Sequence, residues 1–181
     1  MKKPSPKGKT IWCIRAGQQG AAHNLFIERS LIVLAEQGFG DLRNLPKNRE
    51  SFYSTYAKRH ADEGSTAIAG IGGTFFRFIH EIHNGDLVLY PCLLDKKVHY
   101  GVVSGPYAYA KSQKEFPHHR KVIWNGAFEK SNLSEFARRE LGAARTLFKV
   151  NNNAEEIRAV ICKLSAASLT QGGGKPKKVN K

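Results

Sequence analysis

The stretch Thr66–Ile82 constrains the fold more than any other part of the chain. Ile68, Ile71, Phe75, Phe78 or Ile79, and Ile82 recur three or four residues apart, which is one face of an α-helix. A face so apolar predicts a buried helix against which the rest of the chain must pack. Gly70, Gly72 and Gly73 interrupt it, and each costs roughly 1 kcal/mol of helix stability relative to Ala. Such glycines are expected where another backbone or a ligand comes close.

The remaining apolar runs are short. Thr10–Arg15, Leu31–Leu34, Leu87–Tyr90, Val98–Val103, Lys121–Trp124 and Thr146–Val150 read as strands, rich in β-branched and aromatic residues and bounded by turn formers. Helical spacing recurs in Ala21–Arg29, in Asn48–Ala61 and in Asn132–Leu141, the last opened by an Asn-x-x-Glu capping pattern. A final helix is expected from Ala154 to Leu164, capped by Asn153, with Ile157, Val160, Ile161 and Leu164 on one face. About six short strands mixed with helices, in no regular alternation and with no internal repeat, predict an α+β fold. Pro4, Pro6 and Gly8 in residues 1–9, and the Gly/Lys-rich end of residues 166–181, read as a basic tail and a linker around one domain over 10–165.

Charge narrows the partners. The 181 residues carry 29 Lys+Arg against 15 Asp+Glu, a formal +14. Four lysines at each end (Lys2, Lys3, Lys7, Lys9; Lys175, Lys177, Lys178, Lys181) leave the body between them still basic, which favours a polyanion such as nucleic acid. No run reaches the 18 apolar residues of a membrane span, and the Met1-Lys2-Lys3-Pro4 start leads into no apolar signal core. A cytoplasmic, soluble protein is expected. Cys13, Cys92 and Cys162 are far apart and form no Cys-x-x-Cys pair, so they read as buried small hydrophobes. No cofactor and no metal are expected.

Other motifs point away from catalysis. His80-Glu81-Ile82-His83 has i,i+3 histidines rather than the i,i+4 pair of a zincin, and reads as a helix terminus. Asp95-Lys96-Lys97 is the one acidic-x-Lys instance relevant to a metal-dependent nuclease, and it falls in a hairpin turn instead of a central strand. Gly70-x-Gly72-Gly73 lacks the Lys-Ser/Thr of a phosphate loop. Trp12, Phe75, Phe76, Tyr107, Tyr109 and Trp124 lie near Arg15, Arg77 and Arg120, a mixture suited to stacking a base while holding phosphate. Trp12, Phe75 and Trp124 fit a core equally, whereas Tyr107 and Tyr109, in a loop after a strand, are expected to face solvent. His118-His119-Arg120 reads as a basic surface.

Taken together and in order, several segments resemble the N-terminal EVE-like domain of Mrr-type and other modification-dependent restriction endonucleases, a branch of the PUA-like superfamily that includes the YTH readers. They are Ile11–Gly17, Gly40-Asp41-Leu42, Phe75–Ile82 running into Gly85–Val88, Tyr100–Tyr109, Pro117–Trp124, Asn132–Ser134, Leu141-Gly142 and Thr146–Phe148. The resemblance implies a small curved β-barrel flanked by helices, with a pocket that receives a base flipped from double-stranded DNA. Carried onto this chain, the pocket falls between Arg15-Ala16-Gly17 and Ala35–Gln37, supported by Arg77 and the Tyr107–Tyr109 loop. Arg15, Arg77, His118 and Arg120 would hold phosphate or a base edge, and Tyr107 and Tyr109 would stack or wedge. Where the family often has Gly-Trp, this chain has Ala35-Glu36, so Glu36 would probe the base through hydrogen bonds such as those to a cytosine amino group. The resemblance further implies a non-catalytic reader of a modified base in restriction or phage defence, working with a nuclease or motor domain. An RNA-binding PUA-like domain, or a non-specific DNA-binding subunit of a nuclease, is the alternative.

Overall fold

The computed structural model describes residues 9–171. Strand β1 (Ile11–Ile14) is apolar at every position because both of its faces are covered. Ile11 and Cys13 face one cluster of buried side chains, and Trp12 and Ile14 face the other. β1 runs parallel to β3 (Leu87–Pro91) and antiparallel to β7 (Leu147–Lys149). β3 forms the expected hairpin with β4 (Lys97–Val103).

β6 (His118–Glu129) is three times the length expected from Lys121–Trp124, and it curls the sheet. Its second half pairs with β4, and its first half lies between β2 (Leu31–Leu34) and the two-residue β5 (Ala108–Tyr109). The strand order is β2-β6-β4-β3-β1-β7, with β5 beside β6. The bend comes from a bulge at Asn125, where Tyr100 pairs with Gly126 and Gly101 with Trp124. A Cβ on Gly101 would lie 2.5 Å from the Ile123 carbonyl, so only glycine permits this close strand approach.

Helices cover both faces, giving the expected α+β arrangement of a curled sheet with flanking helices. α1 (His23–Ile27), α2 (Arg49–Ala57) and α3 (Ser65–His80) pack over the larger core, around Phe26, Phe39, Phe52, Phe75, Phe78 and Tyr90. α3 is the helix read from the Thr66–Ile82 periodicity. Of its glycines, Gly72 serves the expected close approach of a backbone, since a Cβ there would lie 2.7 Å from Tyr53 Cδ1 and 3.1 Å from the Phe52 carbonyl carbon. α4 (Glu135–Leu141) and α5 (Ala154–Gln171) cover the second core, with Leu133, Ala137, Leu141 and Ile157 buried.

Several local expectations are corrected. Ser134, not Asn132, caps α4, its Oγ accepting from Ala137 N–H, because Asn132 lies in a preceding 3-10 turn. Asn153 stands at the expected cap position of α5, its carbonyl accepting from Ile157 N–H, and its side-chain amide donates to Glu140, whose carboxylate also accepts the backbone N–H groups of residues 151–153. α5 runs to Gln171, into the segment expected to be linker from 166. The expected tails at 1–8 and 172–181 lie outside the described residues. Cys13 and Cys92 are buried as expected, but Cys162 is exposed, since it sits on the outer side of α5. Among the described residues no helix is long and apolar enough to cross a membrane.

Candidate functional site

The ends of β1 and β2 open into a cleft of ≈ 910 Å³. Arg15 and Gly17 line it from the loop after β1, and Ala35 and Gln37 from the segment after β2. These are the two segments expected to form a pocket, and they meet here. Its floor is Thr74 and Phe75 of α3, with Phe116 as a wall. Gly17 faces this wall, where a Cβ would make ordinary contact with the Phe116 ring at 3.5 Å, and its φ of +74° suits glycine. Phe116 is held by its neighbour, as Glu36 N–H donates to the Glu115 carbonyl at 2.9 Å. The last side, Ala144–Thr146, is tied to β1 by Arg15 N–H donating to Thr146 O.

The cleft mixes aromatic surface with groups that can read edges. The side-chain amides of Gln18, Gln19 and Gln37 line it, and among the described residues none of these amides has a hydrogen-bond partner. Gln19 takes φ +50°, unusual for a side chain with a Cβ. Arg15 Nη2 donates to the carbonyls of Leu141 and Ala143 at 2.8 and 3.0 Å, satisfying the end of α4 while fixing the guanidinium at the rim. Ala16 is buried and contributes only backbone.

Arg77 stands behind this rim. Its Nη2 lies 3.3 Å from Thr74 Oγ1, and its Nε is buried with no partner. Over Gly73 its guanidinium converges with that of Arg49, since a Cβ on Gly73 would be 3.2 Å from Arg77 Nη1 and 3.5 Å from Arg49 Nη1. Burial, then the like charge of Arg49, pulls the Arg77 pKa down, with Arg145 adding a smaller push. Arg49 has a carboxylate partner in Glu81, whereas Arg77 makes no ion pair among the described residues. Arg145 is exposed, lines the cleft, and lies over the Phe148 ring. Arg145, which lines the aromatic cleft, and Arg77, behind its rim with a buried Nε, therefore stand on one side of it.

Other expected site residues sit elsewhere, for clear physical reasons. Glu36 does not line this cleft, because side chains along an extended segment alternate sides and Ala35 and Gln37 take the cleft side. Glu36 and Tyr109 face a smaller depression, ≈ 400 Å³, with Arg59, Lys111 and Lys114. Tyr107 is buried, not solvent-facing: its hydroxyl accepts from Leu42 N–H at 3.2 Å and lies 2.8 Å from His118 Nδ1. His118 and Arg120 form no basic surface, since both point inward from β6 at alternate positions. Arg120 donates to the carbonyls of Phe78, Ile79 and Gly105, closing the end of α3, and burial pushes its pKa down to about 10. Trp12 belongs to the core, its Nε1 donating to buried Asp86. Trp124 donates to the Phe26 carbonyl.

Phe116, Gln18, Gln19 and Arg145 complete the cleft without having been expected there. The available signal was Phe116-Pro117 after a polar run, an apolar residue with no periodic partner in sequence. His80 ends α3 as expected, edge-on to Phe52 and tilted against Phe76. Asp95 is in the β3–β4 turn, its Oδ1 accepting from Lys97 N–H.

Fold and cleft together define a class: an α+β domain whose curled sheet, closed by α3, presents an aromatic and amide-lined cleft flanked by arginines. The chain belongs to the family described as Domain of unknown function (DUF8426), whose model matches residues 12–151. That match contains every residue lining the cleft. No curated protein and no solved structure matches the chain.

Proposed function

We propose that the chain is a non-catalytic DNA-binding module that takes a base extruded from the duplex into the cleft between Arg15–Gly17 and Ala35–Gln37. One observation carries this reading: those two segments meet around an aromatic floor and wall, Phe75 and Phe116, beside Arg145 and, behind the rim, Arg77. Aromatic faces recover stacking lost on extrusion, and amides such as Gln37 carry both a donor and an acceptor for a base edge. Extrusion costs a few kcal/mol, which stacking of about 1–3 kcal/mol plus edge hydrogen bonds offsets. Arg77 and Arg145 are the phosphate contacts in this reading, replacing Arg120 and His118, whose polar groups are turned inward. Gln37 takes over the reading role first assigned to Glu36.

The resemblance to EVE-like readers adds that the base is modified, in a restriction or phage-defence setting, with the cutting or motor activity on a partner domain. The test is equilibrium binding of the chain, at about 0.15 M salt, to matched duplexes bearing cytosine, 5-methylcytosine, 5-hydroxymethylcytosine, adenine or N6-methyladenine, with an RNA control. A preference of about tenfold, 1.4 kcal/mol, for one modified duplex supports the reading. Equal, salt-sensitive binding to all duplexes overturns base reading, and preference for RNA moves the module to RNA.

A further inference from the structure

Away from the cleft, the β3–β4 hairpin and the start of α1 bring together four side chains that ligate metals. Cys92 follows β3, Asp95 sits in the turn, His99 is on β4, and His23 opens α1. Ligand atoms of Cys92, Asp95 and His99 all lie within 4.8 Å of one another. His99 Nε2 is 2.7 Å from Asp95 Oδ2, and His23 Nδ1 is 3.6 Å from Cys92 Sγ. We propose that Cys92, Asp95, His99 and His23 form a binding site for one zinc-like divalent transition-metal ion.

The distances fit. With Zn–S near 2.3 Å and Zn–N near 2.05 Å, a tetrahedral ion sets sulfur and nitrogen about 3.6 Å apart. That is the His23–Cys92 separation already present. Nitrogen and carboxylate oxygen on such an ion stand about 3.4 Å apart, so the Asp95–His99 pair has to open by about 0.7 Å. Asp95 is half-exposed on a turn and has room to do so.

The surroundings argue against an inert thiol. A cysteine that only fills space has apolar neighbours, but Cys92 is fully buried beside the His23 imidazole and the Tyr90 hydroxyl. One thiolate, one carboxylate and two neutral imidazoles carry two negative charges, which a divalent ion neutralises. The thiol proton leaves to solvent as the metal–sulfur bond forms. A thiolate–imidazole set selects zinc-like ions over calcium or magnesium, and four protein ligands leave no open position, so the role is structural.

The site lies next to the cleft. Its hairpin tip touches the turn after β1, where a Cβ on Gly20 would be 3.9 Å from Leu94 Cγ. A metal joining His23 to the hairpin would brace the Gln18–Gly20 turn. The metal site itself does not depend on what the cleft binds.

Cobalt(II) titration of the chelator-stripped full chain tests it. One equivalent is expected to give a thiolate-to-cobalt charge-transfer band and tetrahedral d–d absorption, both lost on adding Zn²⁺. Cys92→Ser is expected to abolish the charge-transfer band, while Cys162→Ser keeps it. His99→Ala, on the more accessible side, should keep the band but weaken binding by more than the roughly 10–100-fold that an outer-shell partner costs. Absence of the band in the folded wild type overturns the proposal. So does a band that survives Cys92→Ser and disappears with Cys162→Ser.

Discussion

His118 makes the stability of this fold depend on pH. The imidazole is fully buried between Phe75 and the Tyr107 ring, and burial pushes its pKa down to about 4, with Glu36 only partly opposing. Leu42 N–H already donates to the Tyr107 oxygen, so the phenol proton points at Nδ1 and the neutral ring carries its proton on Nε2. Nε2 has no hydrogen-bond partner, and Glu36 Oε2 is 3.7 Å away. In the unfolded chain the same histidine titrates near 6.5. Between pH 6.5 and 4 the unfolded state therefore binds more protons, and stability falls as pH falls. From a pKa of 6.5 unfolded and about 4 folded, the loss between pH 7 and pH 5 is about 2 kcal/mol. Urea unfolding of wild type and His118→Gln at both pH values isolates it, because the other titrating groups cancel in the difference. The wild type should lose about 2 kcal/mol more than the variant on going to pH 5. An equal loss in both would refute the claim that His118 is held neutral.

Three further outcomes follow from the packing. Arg120→Met strips the donors from two carbonyls at the end of α3 and from the Gly105 carbonyl after β4, and should cost about 3 kcal/mol in chemical denaturation; a change below about 1 kcal/mol would mean those carbonyls find other partners. Two glycines of α3 should respond with opposite signs. Gly72→Ala meets the α2 backbone and should lose about 1–3 kcal/mol, whereas Gly70→Ala meets nothing within 4 Å and should gain about 0.5–1 kcal/mol, both read from thermal melts. Arg77→Ala should lower the log–log salt slope of duplex binding by about 0.9 and leave the fold intact, and an unchanged slope would remove Arg77 from the phosphate contacts.

What sequence reveals here is local, and what it hides depends on partners far along the chain. α3 is legible because its apolar face repeats over sixteen residues, and β1 because both of its faces are buried. The length of β6 is not, since residues beyond Trp124 read as polar and are held by pairing to β4 across the Asn125 bulge. Arg77 and Arg120 look alike in sequence. Three carbonyls from two separate segments saturate Arg120, while Arg77 lies beside another arginine with its Nε unpaired. Tyr107 reads as an exposed loop aromatic because its burial depends on Leu42, sixty-five residues earlier, and on His118. Glu36 differs from Gln37 only by the alternation of sides along the chain, which a one-residue error in alignment reverses.

The location of the binding site can be read directly by hydrogen–deuterium exchange of the full chain with and without a saturating duplex. Protection is predicted in residues 15–21, 33–37, 115–116 and 144–146, the segments whose residues line the cleft. Binding that leaves those segments unprotected, or that protects the Glu36–Tyr109 depression in their place, would contradict the account.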